Sequence, residues 1–161
     1  MAFYVKNQRP GRLSGTTGTL LEQWIRVEKA AATVPASTTQ DIFVVENGRV
    51  LVKLLIGEVT TAIQAQANNL SVVFPATAGG SVTLASVLDI NGFALGRMFL
   101  VEGDGTALVS NGGALLNAVG TGQFILSEGT MNITTSATNT GATSWTIWYL
   151  PLDDNAIVRT A

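Results

Sequence analysis

The side chains that most often carry catalysis or bind transition metals are missing from this sequence. Its 161 residues include no His and no Cys. This excludes imidazole and thiol nucleophiles or bases, zinc sites built on Cys or His, iron–sulfur clusters and the Ser-His-Asp triad. Catalysis would have to use carboxylates, Lys, Tyr or Ser. We expect that the protein is not an enzyme.

Acidic turns and Gly-rich loops are the remaining candidates for small-ligand chemistry. The acids within 102–104 and 153–155 could supply oxygen ligands to a hard cation such as calcium, but acids in turns more often hold no metal. No pair among the 11 Asp and Glu is marked as facing a cleft, as glycoside hydrolysis would need. The Gly-rich segments 15–18 and 103–105 lack the Lys-Ser or Lys-Thr of a phosphate loop. We expect no metal site and no cofactor.

An aromatic cluster near the C terminus could instead contact sugars or protein. Trp145, Trp148 and Tyr149 lie within five residues, and strand alternation would put Trp148 on the face opposite the other two. Packing of the cluster in the core is the favoured interpretation. Exposure of Trp148 as a binding residue is the alternative.

The N terminus carries a group of basic residues without neighbouring acids. Lys6, Arg9 and Arg12 lie in a Gly- and Pro-containing segment that has neither a helical nor a strand period. We interpret residues 1–16 as an extended arm whose cations bind an acidic surface of a partner. A soluble terminus without a partner is the simpler alternative.

Low charge is the most informative property of the composition. Only 12% of residues are charged and the net charge is −2, whereas soluble domains usually contain about 25% charged residues. No basic stripe predicts nucleic-acid binding, and no apolar segment is long enough to predict a signal peptide or a membrane helix. A neutral surface with apolar residues to spare predicts an assembly rather than a monomer.

The elements that would position these side chains are mostly strands. Residues 17–40 are predicted to form one short helix and a linker, because Leu20, Leu21, Trp24, Ile25 and Val27 fall on one side of a helix. That helix would pack on the sheet of its own chain or, through Trp24, on a neighbouring protein. Residues 153–161 are predicted to form a loosely ordered tail.

Between these ends, residues 41–152 are predicted to form a single β-sandwich domain with a jelly-roll-like order. Turn signals recur about every 8–12 residues, which is typical of sandwiches and barrels. The Asn-Gly dipeptides at 47–48 and 91–92 predict two tight hairpins. Residues 144–151 are apolar on both faces, so that strand is either central in the core or covered on its second face by a partner.

The same region resembles small virion proteins of tailed bacteriophages, above all head decoration (cement) proteins. The segments that carry the resemblance are 49–52 (RVLV), 57–63 (GEVTTAI), 87–90 (VLDI) and 144–154 (SWTIWYLPLDD). The resemblance implies a homo-oligomer, a trimer or dimer, made in the host cytoplasm and bound to the outer surface of the capsid. It would bridge neighbouring subunits of the major capsid protein, with Lys6, Arg9, Arg12, Trp24 and Trp148 as candidate partner-binding residues. The alternative is a carbohydrate-binding module of a fibre or tail adhesin.

Overall fold

The computed structural model describes residues 24–112 and 123–161. Within these ranges the chain forms eleven strands and no helix. In chain order they are β1 (Ile25–Thr33), β2 (Thr39–Glu46), β3 (Val50–Thr61), β4 (Asn69–Pro75), β5 (Ser81–Asp89), β6 (Met98–Leu100), β7 (Val109–Asn111), β8 (Phe124–Leu126), β9 (Gly129–Thr135), β10 (Ala142–Pro151) and β11 (Ile157–Thr160).

The strands form two antiparallel sheets. Sheet A has the order β1-β10-β3-β6-β7, with β8 also paired to β3, and sheet B has the order β11-β2-β9-β4-β5. Side chains from both sheets meet in one hydrophobic core, which includes Leu55 and Ile147 of sheet A and Phe43 and Ile133 of sheet B. The prediction of an all-β fold is confirmed for the residues that the structure describes.

The core of sheet A is organised around stacked aromatic rings. The ring centroids of Phe93 and Phe99 are 5.8 Å apart, and those of Phe99 and Trp145 are 6.0 Å apart. Gly57 of β3 lies against this stack, because a Cβ atom there would come within 2.9 Å of Trp145 Cζ3. The indole N–H of Trp145 donates to Thr143 Oγ1 at 3.2 Å, so the buried ring keeps a polar partner.

The short helix predicted within 17–40 is wrong where the structure describes it. Residues 25–33 form β1, which pairs with β10 in the register Ile25↔Tyr149 and Val27↔Ile147. Alternate side chains of β1 thereby pack against the core, and pairing with β10 satisfies its backbone groups. Residues 17–23 and the predicted arm, including Lys6, Arg9 and Arg12, lie outside the described residues.

The two predicted hairpins and the predicted loose C-terminal tail are also wrong, because the strands pair differently. The residues at 47–48 and 91–92 do turn the chain, with positive φ at Asn47, Gly48 and Gly92. However, β2 and β3 belong to different sheets, and so do β5 and β6, so neither turn closes a hairpin. The predicted loose tail also contains a strand, because β11 pairs with the edge of β2 and buries Val158.

Sheet A has β10 near its centre, between β1 and β3. The predicted alternation of this strand is confirmed: Trp145, Ile147 and Tyr149 are buried in the core, and Trp148 and Leu150 are half-buried. The described residues contain no helix of the length and apolar character needed to cross a membrane.

Candidate interaction surface

The side of sheet A that faces away from the core carries an unusual number of large apolar side chains. We call this surface the aromatic face. Its apolar members are half-buried, except for Ile125, which is 61% exposed. The aromatic face consists of Trp24, Arg26 and Glu28 beside or in β1, Thr146, Trp148 and Leu150 in β10, Leu51, Lys53, Leu54, Ile56 and Glu58 in β3, and Ile125 in β8.

Strand register sets the composition of this face. Ile25 and Tyr149 are partners on the core side, so the next pair along the strands, Arg26 and Trp148, points outward. Trp148 is in turn the partner of Leu54 in β3. The outward positions of three neighbouring strands therefore meet at Trp148.

Each tryptophan of the aromatic face has a cation against its ring. Arg26 Cζ lies 5.7 Å from the ring centroid of Trp148, and Lys53 Nζ lies 4.9 Å from that of Trp24. A cation over an indole face is favourable by about 0.5–1 kcal/mol at exposed sites. These contacts hold both cations against the sheet and cover part of each indole.

Acidic residues occupy the other half of the aromatic face. Glu28 accepts a hydrogen bond from Arg26 Nη2 at 2.5 Å, with both side chains about half exposed. Glu58 lies further along β3, opposite Ser144 of β10. Charge therefore changes sign along the strands, from Lys53 and Arg26 at one end to Glu28 and Glu58 at the other.

The outward side of sheet B mixes short polar side chains with valines: Val44 and Val73 are half-buried, and Val87 is 58% exposed. Thr39 and Thr134 are register partners whose hydroxyl oxygens are 3.0 Å apart. Ser71 and Asn132 continue this surface on β4 and β9. Short hydroxyl and amide groups of this kind are well solvated by water. The two faces thus differ mainly in side-chain size, with tryptophan, leucine and isoleucine on sheet A and short polar groups and valine on sheet B.

The acids singled out in the sequence are engaged in turns. Asp104 accepts hydrogen bonds from the backbone N–H and the hydroxyl of Thr106, at 2.9 and 2.6 Å, and these bonds lower the pKa of its carboxyl group. Asp153 accepts from Arg49 Nε and Nη2 at 2.9 and 2.8 Å and from the Arg49 backbone N–H at 2.7 Å. Asp154 beside it is exposed. Within 24–112 and 123–161, no three acids are grouped to hold a metal ion.

One shallow depression does bring two carboxylates to the same place. Glu46 and Glu128 line it together with Val44 and Thr130. Arg159 Nη2 donates to Glu46 Oε1 at 2.7 Å, and this hydrogen bond lowers the pKa of Glu46. A glycosidase general acid needs a raised pKa. The pair is thus arranged as a surface ion pair with a neighbouring acid, not as an acid and base couple.

The structure brings together two of the five partner-binding residues predicted from the sequence. Trp24 and Trp148 share the aromatic face, while Lys6, Arg9 and Arg12 lie outside the described residues. Sequence reasoning missed the flanking cations Arg26 and Lys53 and the apolar residues of β3. The sequence did contain a signal for the β3 residues, because residues 50–56 are apolar at all positions but one. Such a run predicts a strand that is apolar on both faces, as was predicted for residues 144–151.

Comparison with known proteins assigns no role to the aromatic face. The chain matches no protein-family model, no curated protein and no solved structure.

Proposed function

We propose that this chain is a structural protein of a bacteriophage virion that decorates the outer surface of the capsid. In this role it stabilises the shell by bridging neighbouring subunits of the major capsid protein. It is made in the host cytoplasm and assembles as a homo-oligomer. The proposal includes no catalytic step and no cofactor.

The observation that carries the proposal is the difference between the two outward sheet faces. The aromatic face exposes apolar surface to water, which costs roughly 25 cal/mol of free energy per Å². Its apolar members are two tryptophans, Leu51, Leu54, Ile56, Leu150 and Ile125. Aromatic residues and Arg are also the types enriched where proteins contact each other. The low total charge of the chain favours such contacts over a fully solvated surface.

The rigid body in this proposal is a β-sandwich with a jelly-roll strand order. Four antiparallel pairs are nested in the chain: β1 with β10, β2 with β9, β3 with β6, and β4 with β5. Folding such a nested set over on itself yields two four-stranded sheets, as in jelly rolls, with β7, β8 and β11 as additions here. Jelly rolls occur in viral capsid proteins and in lectins. The order therefore favours both of the functions considered and does not choose between them.

The N-terminal arm is the tether in this mechanism. Three cations within residues 1–16, Lys6, Arg9 and Arg12, suit an acidic patch on a neighbouring capsid subunit. Sixteen extended residues span about 50 Å at most. Many small contacts of the arm and of the sandwich would together hold adjacent subunits, because binding to the assembled shell stabilises that shell by mass action.

The test is binding to phage heads that lack decoration. Full-length protein and a truncated chain that starts at Thr17 are each mixed with undecorated heads, and the bound fraction is measured by co-sedimentation. We expect the full chain to bind at saturable, symmetry-related sites and the truncated chain to bind more weakly. Heads with bound protein should also resist heating better than bare heads.

A triple variant Lys6→Ser, Arg9→Ser, Arg12→Ser separates charge from chain length. We expect it to bind as weakly as the truncated chain. Its control is Asp41→Asn on the outward face of sheet B, which should bind like the wild type. Failure of the full-length protein to bind heads would refute the decoration function.

A carbohydrate-binding adhesin is the second candidate, and one observation favours it. Trp24 and Trp148 are two half-buried indoles on one sheet face, as in a sugar-stacking platform. The cations over both rings oppose it, since a sugar would have to displace Arg26 and Lys53. A glycan array and tryptophan fluorescence with host polysaccharide test it. Hits that Trp148→Ala abolishes, together with absent head binding, would favour the adhesin.

A further inference from the structure

We propose that the aromatic face binds a second copy of this chain across a two-fold axis, with sheet A of one copy packed on sheet A of the other. This inference rests on the proposed function and deepens it, because it assigns the homo-oligomer a surface and a symmetry. The aromatic face then serves the contact between copies, and the arm of residues 1–16 is left to contact the capsid. The axis lies in the plane between the two faces and runs across the strands. It places β1 over β1 and β3 over β3, with the strands of the second copy reversed.

Charge complementarity is the first argument for this partner. Val27, Ile147 and Leu55 are register partners on the core side of sheet A. The row that they form marks the central level of the aromatic face along the strands. Arg26 lies one residue to one side of this row and Glu28 one residue to the other. A two-fold axis at the level of the row therefore places Arg26 of each copy at the level of Glu28 of the other, and an interface that repeats the same contacts twice is isologous.

A second charge pair is compatible with the same axis. Lys53 is the extra residue of β3 between Leu54 and Val52, one to two rows from the centre on the Arg26 side. Its ammonium group extends to within 4.9 Å of the ring centroid of Trp24, whose backbone lies three residues from Val27. Glu58 is the partner of Ser144, which lies three residues from Ile147 on the opposite side. The same axis thus places Glu58 of one copy at the level of Trp24 of the other, towards which the Lys53 side chain extends. Two pairs of charges on different strands are therefore compatible with a single axis.

Side-chain size is complementary about the same axis. Trp24 lies three residues from Val27 and faces the level of Ala30 in the second copy. Trp148 faces the level of Thr146, and Leu150 that of Ser144. On β1 and β10, large residues of one copy thus meet small residues of the other, which suits the packing of two sheets about 10 Å apart. On β3, Leu54 faces the level of Ile56, so two large apolar residues meet there.

The area of the face is sufficient for a specific dimer. Four strands at about 4.8 Å spacing and four outward rows at about 7 Å spacing cover roughly 500 Å² on each copy. Treated as flat, the two faces together bury about 1,000 Å², and protruding side chains add to this area. The value reaches the lower end of the range for specific interfaces. We therefore expect a reversible dimer whose population depends on concentration.

The β1 edge of sheet A, which no other described strand covers, offers a poorer route to self-association. Lys29 of β1 is the partner of Trp145, so it lies on the core side of an edge strand, and its Nζ donates to the backbone oxygen of Ala161. β1 also has a register shift between Lys29 and Ala32. Inward-pointing charges and bulges are the devices by which edge strands avoid pairing with other chains.

The experiment uses charge reversal in full-length protein, measured by sedimentation velocity over a concentration series. Lys53→Glu alone and Glu58→Lys alone each place like charges at both symmetry-related contacts. We expect the dimer dissociation constant of each to rise at least about tenfold. An equimolar mixture of the two variants restores opposite charges at both contacts, so a heterodimer of near wild-type affinity is expected. Circular dichroism checks that both exposed substitutions leave the fold intact.

A second pair of variants and a control make the result independent of one site. Arg26→Glu and Glu28→Arg should behave in the same way, weak alone and restored in the mixture. Arg159→Glu and Glu46→Arg, on sheet B, should each dimerise like the wild type. A wild-type monomer throughout the series, a trimer, or mixtures as weak as their components would overturn the two-fold interface.

The outcome is separable from that of the proposed function, because dimerisation is measured without phage heads. Head binding by a monomeric wild type would refute the two-fold interface and leave the decoration function standing. A dimer that is weakened by each charge reversal and restored in the mixture, but that does not bind phage heads, would support the interface and refute decoration.

Discussion

Gly57 shows how one residue type in β3 is required by the packing of two aromatic rings. A Cβ atom at this position would meet Trp145 Cζ3 at 2.9 Å and Phe99 Cδ2 at 3.0 Å. Because both rings are buried in a stack, neither can move away without disturbing its neighbours. We expect Gly57→Ala to lower the free energy of unfolding by about 1–3 kcal/mol in urea titrations.

Gly112→Ala is the matched control for this substitution. Apart from its chain neighbours, a Cβ atom at Gly112 would meet no atom of the described residues within 4 Å. Equal stability of the two variants would show that the stack tolerates the added carbon.

Asp153 is the residue whose ionisation should affect stability at low pH. The side-chain hydrogen bond from Arg49, followed by the one from the Arg49 backbone N–H, lowers the pKa of Asp153 from 3.8 to about 2. The folded-state pKa is therefore the lower one, so the ionised carboxylate contributes stability above about pH 4 that is lost as pH falls towards 2. We expect Asp153→Asn to be less stable than the wild type at neutral pH and to lose less stability over that acid range.

Urea midpoints measured at neutral pH, near pH 4 and near pH 2 test this expectation. The exposed neighbour Asp154 supplies the control, and Asp154→Asn should follow the wild-type profile. An Asp153→Asn profile parallel to the wild type would show that the ion pair does not couple to folding.

At the scale of elements, β11 extends sheet B by covering the edge of β2. Its Val158 is 4% exposed and packs in the core, whereas Arg159 points to solvent. We expect Val158→Ser to destabilise the protein by about 2 kcal/mol, because it removes buried methyl groups and places a hydroxyl in an apolar site. Arg159→Ser should unfold at nearly the wild-type urea concentration. If Val158→Ser unfolded there as well, β11 would not be part of the cooperative core.

The strands β3 and β10 explain why the outward side of sheet A carries so many apolar side chains. Both are apolar on their two sides, and they are neighbours in sheet A. Their core sides supply Leu55, Trp145 and Ile147, and their outward sides supply Leu54 and Trp148. Either strand alone would present a narrow apolar stripe, whereas their pairing produces a surface wide enough for a partner.

At the scale of the whole molecule, the single core predicts that both sheets unfold together. All three tryptophans lie in or beside sheet A, so their fluorescence reports that sheet, while far-ultraviolet circular dichroism reports both. We expect the two signals to give coincident urea transitions. We also expect Ile133→Ala in sheet B, at a cost of about 2–5 kcal/mol, to shift the fluorescence transition of sheet A equally.

Ile147→Ala is the corresponding substitution in sheet A and serves as the reference. Both isoleucines have 0% exposure. A sheet B variant that shifted circular dichroism but not fluorescence would show two independently unfolding units.

For the described residues, the sequence by itself determined the predominance of strands, the alternation of β10 and the positions of the sharp turns. These depend on side-chain period and on residues that adopt positive φ, which are local properties. It also indicated Trp24 and Trp148 as candidate contact residues. It did not indicate that they share one face, because that depends on the pairing of β1 with β10.

Only the tertiary structure decided which strands pair. The turns at 47–48 and 91–92 reverse the chain in either case, but whether the flanking strands join one sheet or two depends on where their apolar sides are buried. The same competition made residues 25–33 a strand rather than part of a helix, since pairing with β10 satisfies their backbone and buries Ile25 and Val27. The aromatic face and its alternating charges likewise arise from register between distant segments, which no local pattern encodes.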